Sequence, residues 1–228
     1  MYWFDYTMIL LIPGIIVTIW AQSKVQSTFK KYSKEWSSNN YTAFQVARAL
    51  LDSNGLGDVR IEHIRGNLTD HYDPRSQVLR LSDSVYNSTS LASIGVAAHE
   101  VGHAIQDAQE YMPLKIRSMI VPVANFGNYA SWIILVIGLI MGPFDIAAIG
   151  VVLFLAVVLF QLVTLPVEYN ASSRAVAALE GGGYLTRDEV PKAKKVLDAA
   201  ALTYVAALLM SILTLFRFIL LALGARRD

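Results

Sequence analysis

From Ile146 to Leu165 the chain is apolar apart from Gln161 and Thr164. Such a run is long enough to cross the hydrocarbon of a bilayer as a helix, and in lipid a helix satisfies its backbone polar groups internally. Three other runs share the character. Tyr2 to Ala21 reaches spanning length because Tyr2 to Tyr6 supply an aromatic interfacial end. Ile120 to Met141 is interrupted by Pro122, Asn125 and Asn128, and Ala201 to Leu223 holds one central charge, Arg217, for which the sequence offers no partner. With 54% hydrophobic and 16% charged residues in 228, the chain is too apolar for an ordinary soluble enzyme.

The distribution of basic residues orients these spans. Met1 to Tyr6 contains neither Lys nor Arg, so the first run lacks the basic start of a secretion signal and reads as an uncleaved anchor. Lys24, Lys30, Lys31 and Lys34 follow it directly, which marks the cytoplasmic side. With four spans, residues 22–118 and 166–200 share that side and hold eleven and five of the nineteen Lys and Arg. The short link Gly142-Pro143-Phe144-Asp145 carries no positive charge and suits an external turn, while Arg226 and Arg227 are left outside. The chain is therefore expected to be a multi-pass cell-membrane protein with its polar domain in the cytoplasm. The lipid bilayer is a partner, and with a formal net charge of +1 and no aromatic-interleaved basic stripe, nucleic acid is not.

Residues 22–118 are polar enough for a folded domain. Thr42 to Leu51 has helical spacing of apolar residues, and Val59 to Ile64 and Gln77 to Leu81 are strand candidates separated by the turn-rich GNLTDHYDPRS. The strands form either a plain hairpin or an edge on which an extended substrate can pair. A helix is expected over Ser90 to Glu110, ended by Pro113. Beyond the third span, Pro166 to Glu180 reads as a short polar helix broken by Gly181-Gly182-Gly183. Thr186 and Glu189 form a capping-box pattern opening the next helix, in which Pro191 marks a kink or the true start.

The Ser90 to Glu110 helix contains His99-Glu100-Val101-Gly102-His103. Residues four apart on a helix share a face, so both imidazoles can reach one ion with Glu100 beside them. With no cysteine and four histidines in the chain, a metal must use His, Asp or Glu. A catalytic zinc takes three protein ligands and keeps a fourth position for water. Glu168, the first acid after the third span and on the same side as the HEVGH helix, is the candidate third ligand; a solvated helix-end acid is the plain alternative. One catalytic Zn²⁺ on His99, His103 and Glu168, with Glu100 as general base, would hydrolyse peptide bonds. Gly102 would let a neighbouring backbone approach closely. His71, Tyr72 and Arg174 are candidates to stabilise the oxyanion, and His63, in a strand pattern, reads as structural.

HEVGH after an apolar helix start, LTDHYDP (Leu68 to Pro74), LRLSDSVY (Leu79 to Tyr86) and EYNASSRA (Glu168 to Ala175) together resemble the bacterial YugP-like neutral zinc metallopeptidases. The resemblance runs from Tyr2 to Leu223. More distantly, the arrangement is similar to HtpX-type heat-shock membrane proteases and CAAX prenyl proteases, in which a downstream helix gives a glutamate as third zinc ligand. By position that glutamate is Glu168. Those relatives carry an aspartate where this chain has Ser172, so a carboxylate orienting a zinc histidine is either absent or supplied by another residue, with Asp73 and Asp107 as candidates.

The expected fold is thus mostly α: about four transmembrane helices (2–21, 120–141, 146–165 and 201–223) plus a small α+β, zincin-like HExxH domain over 22–118, completed by 166–200. The expected function is gluzincin-like, a membrane-embedded zinc endopeptidase acting on polypeptides, membrane proteins among them. The competing class is a non-catalytic membrane adaptor or sensor with a closed structural zinc site. Intramembrane proteolysis is disfavoured because the motif helix is no span, and a transporter because the later spans hold no Asp, Glu or Lys.

Overall fold

The computed structural model describes residues 6–141 and 144–224. The aromatic start ahead of Tyr6, the Gly142-Pro143 link and the Arg226-Arg227 pair lie outside the described residues. Four helical segments are long and apolar enough to cross a membrane: Tyr6–Tyr32, Met112–Met141, Phe144–Gly182 and Val190–Gly224. The first comprises a 3₁₀ stretch, Tyr6–Leu11, and helix α1, Ile12–Tyr32. In chain order there follow α2 (Ala43–Ser53), β1 (Arg60–Ile64), β2 (His71–Asp73), β3 (Val78–Ser82), α3 (Leu91–Ala108), α4 (Met112–Met141), α5 (Phe144–Gly182) and α6 (Val190–Gly224). The chain divides into a helical unit, Met1–Gln22, Lys115–Pro166 and Thr203–Asp228, and a sheet unit, Ser23–Leu114 and Val167–Leu202.

Within the helical unit, α4 and α5 lie backbone to backbone. A Cβ on Gly138 would stand 2.3 Å from the Ala147 nitrogen and one on Gly150 2.8 Å from the Ser131 carbonyl oxygen. Small residues let helices meet closely where lipid offers no hydrophobic drive to association. Arg217, expected to be unpaired, is buried here: its Nε donates to Thr7 Oγ1 at 3.1 Å and its guanidinium lies 5.4 Å from the Trp132 ring centre. A hydroxyl and an aromatic face serve this buried cation as partners where no acid is at hand in the sequence of the span.

Within the sheet unit, α2 shows how the core forms. Thr42 and Gln45 make a capping box at its start, and Ala43, Val46, Ala47, Leu50 and Leu51 form its buried face. That face packs with α3 residues Leu91, Ile94, Ala98 and Val101 and with Leu79 and Leu81 of β3. Each fully buried Leu or Ile contributes about 1.5–3 kcal/mol of transfer free energy. The sheet has the order β1-β3-β2, with β1 parallel and β2 antiparallel to β3. The two expected strands are therefore parallel neighbours and do not form a hairpin. The hairpin is β2-β3, and β2 went unrecognised because its three residues sit among turn formers.

Three prolines locate helix boundaries that the sequence leaves open or misplaces. Helix α3 ends before Pro113: Gln109 is its C-cap and Glu110 has φ +54°. Pro113 falls in the first turn of α4, where its missing N–H costs no hydrogen bond. Pro166 lies inside α5, so the third span and the short polar helix are one continuous element that delivers Glu168. Pro191 is in the first turn of α6. Ahead of it Glu189 accepts from Thr186 N at 2.8 Å, as the capping pattern predicts, and from Ser38 N and Oγ at 2.7 Å each.

Candidate metal centre

The site is formed by α3 and the part of α5 that belongs to the sheet unit. Ser90 caps α3, its Oγ accepting from Ser93 N at 3.2 Å, and the helix then presents His99 and His103 one turn apart. Their rings meet edge to face, 4.8 Å between centres and 85° between planes. Opposite them is Glu168, 2% exposed, with Oε2 3.2 Å from His99 Nε2 and 3.5 Å from His103 Nε2. One ligand atom from each of the three residues lies within 4.8 Å of the others, a grouping that could hold a metal ion.

Gly102 makes this approach possible. A Cβ at that position would stand 2.4 Å from the Ala171 carbonyl oxygen, a backbone atom that cannot swing aside. Gly102 thus lets α3 lie directly on α5 between the two histidines, as its place in the motif predicts. Ala171 and Ala175 keep the facing side of α5 equally small, at 0% and 1% exposed.

The outer nitrogens of both imidazoles are held. His103 Nδ1 is 3.0 Å from Gln106 Oε1, while Gln106 Nε2 donates to Val167 O and Asn170 Oδ1 at 2.9 Å each. Those two donations fix which end of the Gln106 amide is oxygen. His103 Nδ1 must then be the donor, so Nε2 is the nitrogen that faces Glu168 and is free to carry a proton or a metal ion. His99 Nδ1 is 3.1 Å from Ser172 Oγ. Burial alone would push the His103 pKa down, but the Glu168 hydrogen bond and the charges of Glu100 and Glu168 outweigh it and hold it above the ordinary value. The cluster therefore favours a positive charge between the carboxylate and the rings. Ligands each about 2.1 Å from a tetrahedral ion lie about 3.4 Å apart, and the 3.2 and 3.5 Å separations fit that spacing.

Glu100 lies beside this group, and its Oε2 accepts from Tyr72 N at 3.0 Å. Strand β2 is the sheet edge that reaches α3, and alternation along it sorts the remaining candidates. Tyr72 points to α3, where its hydroxyl donates to Asp107 Oδ2 at 2.9 Å; burial and then that bond push its pKa well above the ordinary value. His71 and Asp73 point to the other face, as successive strand residues must. There His71 Nδ1 is 2.9 Å from Thr69 O, and Arg80 reaches Asp73 Oδ2 at 3.2 Å and Glu62 Oε2 at 3.0 Å.

Neither Asp73 nor Asp107 orients a histidine of the cluster. Ser172, whose presence in place of an aspartate had suggested a missing contact, makes the contact itself. Arg174 is turned to Asn170 Oδ1 at 2.7 Å, to Gln109 Oε1 and to the Tyr111 ring. His63 pairs with Asp83 at 2.8 Å and stacks on Tyr86. Gln106 was not singled out from sequence, although it follows His103 by three residues and so shares its helix face.

Residues 7–223 match the family described as "Putative neutral zinc metallopeptidase". The chain is 46% identical over 219 residues to the "Putative membrane protease YugP" of Bacillus subtilis (strain 168), covering 96% of this chain and 97% of the relative. No solved structure matches it. With a match over almost its whole length and four helices fit to cross a bilayer, the chain is a membrane protein belonging to this zinc metallopeptidase family.

Proposed function

We propose that this protein is a membrane-embedded zinc endopeptidase in which His99, His103 and Glu168 hold one catalytic ion and Glu100 is the general base. The observation that carries the reading is the arrangement of acceptors. Nε2 of His103 faces a buried carboxylate, with His99 Nε2 beside it, and the outer Nδ1 atoms are already occupied. Such a constellation is stabilised by a cation at its centre.

Zinc, when bound, supplies a Lewis acid that polarises a carbonyl and acidifies water. The chain does the rest. Glu100, adjacent to His99 on the motif helix, takes the proton of the attacking water and passes it to the leaving amine. Its hydrogen bond from Tyr72 N holds the carboxylate at the edge of β2. That edge offers backbone groups on which an extended polypeptide can lie, so peptide pairing and proton transfer meet at one place. Gln106 and Ser172 keep the imidazoles oriented. The excess of Lys and Arg in residues 22–118 and 166–200 supports a cytoplasmic site.

Glu100→Gln tests the reading. It should leave zinc bound and lower cleavage of a model polypeptide by about 10²–10⁴-fold, the range general-base catalysis supplies. Full activity in a zinc-loaded Glu100→Gln protein would refute it.

A further inference from the structure

A polar concavity in the sheet unit is lined by none of His99, Glu100, His103 and Glu168. Lys24, Ser27, Thr28 and Lys31 are spaced i, i+3, i+4 and i+7, so they form one stripe on α1. Lys195, Asp198, Ala199 and Leu202 repeat that spacing on α6. The two stripes line one cavity of about 540 Å³.

Its charge balance is lopsided. Three ammonium groups border it, and the single carboxylate, Asp198, is already engaged by Lys194 at 2.7 and 2.8 Å. Among the described residues, neither Lys24 nor Lys195 forms an ion pair. Three cations around one concavity repel one another unless an anion joins them. Ser27 donates to Lys24 O at 3.1 Å, and Thr28 adds a second hydroxyl to the same wall. The Ala199 and Leu202 end of the cavity is apolar.

Depth along the helices narrows the choice of anion. Lys24 follows Ala21, where the first apolar run ends, by three residues, or about 4.5 Å of helix rise. Lys195 precedes the apolar run that begins at Ala201 by less than two turns. The cavity thus lies where both helices pass from apolar to charged sequence, at the level of lipid headgroups, with its cations set beside an apolar floor.

We propose that this groove binds the phosphate of an anionic lipid headgroup, with the lysines on the phosphate oxygens and the glycerol end over Ala199 and Leu202. The proposal does not depend on the reading of the metal centre. Basic pockets between membrane helices recognise anionic headgroups in this way, each lysine near the surface being worth roughly five-fold in affinity.

The test uses the full-length chain in neutral detergent, titrated with short-chain phosphatidylglycerol, phosphatidylcholine of equal chain length, or inorganic phosphate, with retained ligand counted by native mass spectrometry. Phosphatidylglycerol should be held at least about ten-fold more tightly than phosphatidylcholine. The triple variant Lys24→Gln, Lys31→Gln, Lys195→Gln should lose on the order of 100-fold. Lys30→Gln, off the stripe on the same helix, should behave as wild type and so separates a built site from general surface attraction. Competition by millimolar inorganic phosphate would identify free phosphate as the source of the same chemistry and overturn the lipid assignment. Equal retention of both lipids, or equal loss in the Lys30→Gln and triple variants, would overturn the site itself. Circular dichroism and thermal melting of each variant show that the fold is intact.

Discussion

Two clusters of histidine and carboxylate lie on opposite sides of β2, and they differ in what occupies the centre. On one face His71, Asp73 and Glu62 surround the Arg80 guanidinium, which reaches both carboxylates within 3.2 Å. That cluster brings its own cation, and its members are half-buried or, for His71, exposed. On the other face His99, His103 and Glu168 converge with no Lys or Arg in the group, Glu168 is buried, and each outer nitrogen has a partner. Residue type alone does not make a metal centre. Buried side chains turned inward, with the surrounding bonds already used, are what one requires.

The contrast can be broken most severely by exchanging truncations between the faces. Glu168→Ala should remove stoichiometric zinc and lower peptidase activity by at least about 10³-fold, because it takes away a charged ligand. His71→Ala should keep both within about two-fold, as expected for an exposed strand residue. Elemental analysis and a cleavage assay on the two purified proteins check this, and equal zinc in both would erase the distinction. Gly102→Ala comes next. Its new Cβ would meet the Ala171 carbonyl at 2.4 Å, forcing α3 off α5 and separating the histidines from Glu168. Overpacking of this kind costs about 1–3 kcal/mol, so zinc affinity measured by competition with a chelator and thermal stability should fall together. Smaller still, Ser172→Ala should weaken zinc by about 10–100-fold, the usual worth of a partner that orients a ligand. Ser172→Asp should restore the contact to His99 Nδ1; if Ser172→Ala binds zinc as tightly as wild type, that hydrogen bond does not aim the ring.

Much of this was legible in the chain. The spacing of His99 and His103 dictates a shared helix face, and the small residue between them announces a close helix contact. Glu168 was findable because a carboxylate just beyond an apolar run is costly without a purpose. The four spans followed from length and composition. What escaped depends on geometry that one sequence does not encode locally. Strand β2 is too short to show periodicity, so the faces taken by His71, Tyr72 and Asp73 could not be assigned. Ser172 looked like a loss when judged by residue type, yet a hydroxyl one turn beyond Glu168 reaches the same ring nitrogen. Pro166 looked like a boundary because proline removes one backbone bond, whereas the helix carries through it to Glu168.

The account rests on one ion held by two imidazoles and a carboxylate, and zinc K-edge X-ray absorption on the purified protein tests that directly. It predicts one zinc per chain with two imidazole nitrogens and oxygen ligands at about 2.0–2.2 Å. It also predicts loss of this spectrum in Glu168→Ala. A chain without zinc, or a wild-type spectrum unchanged in Glu168→Ala, would contradict it.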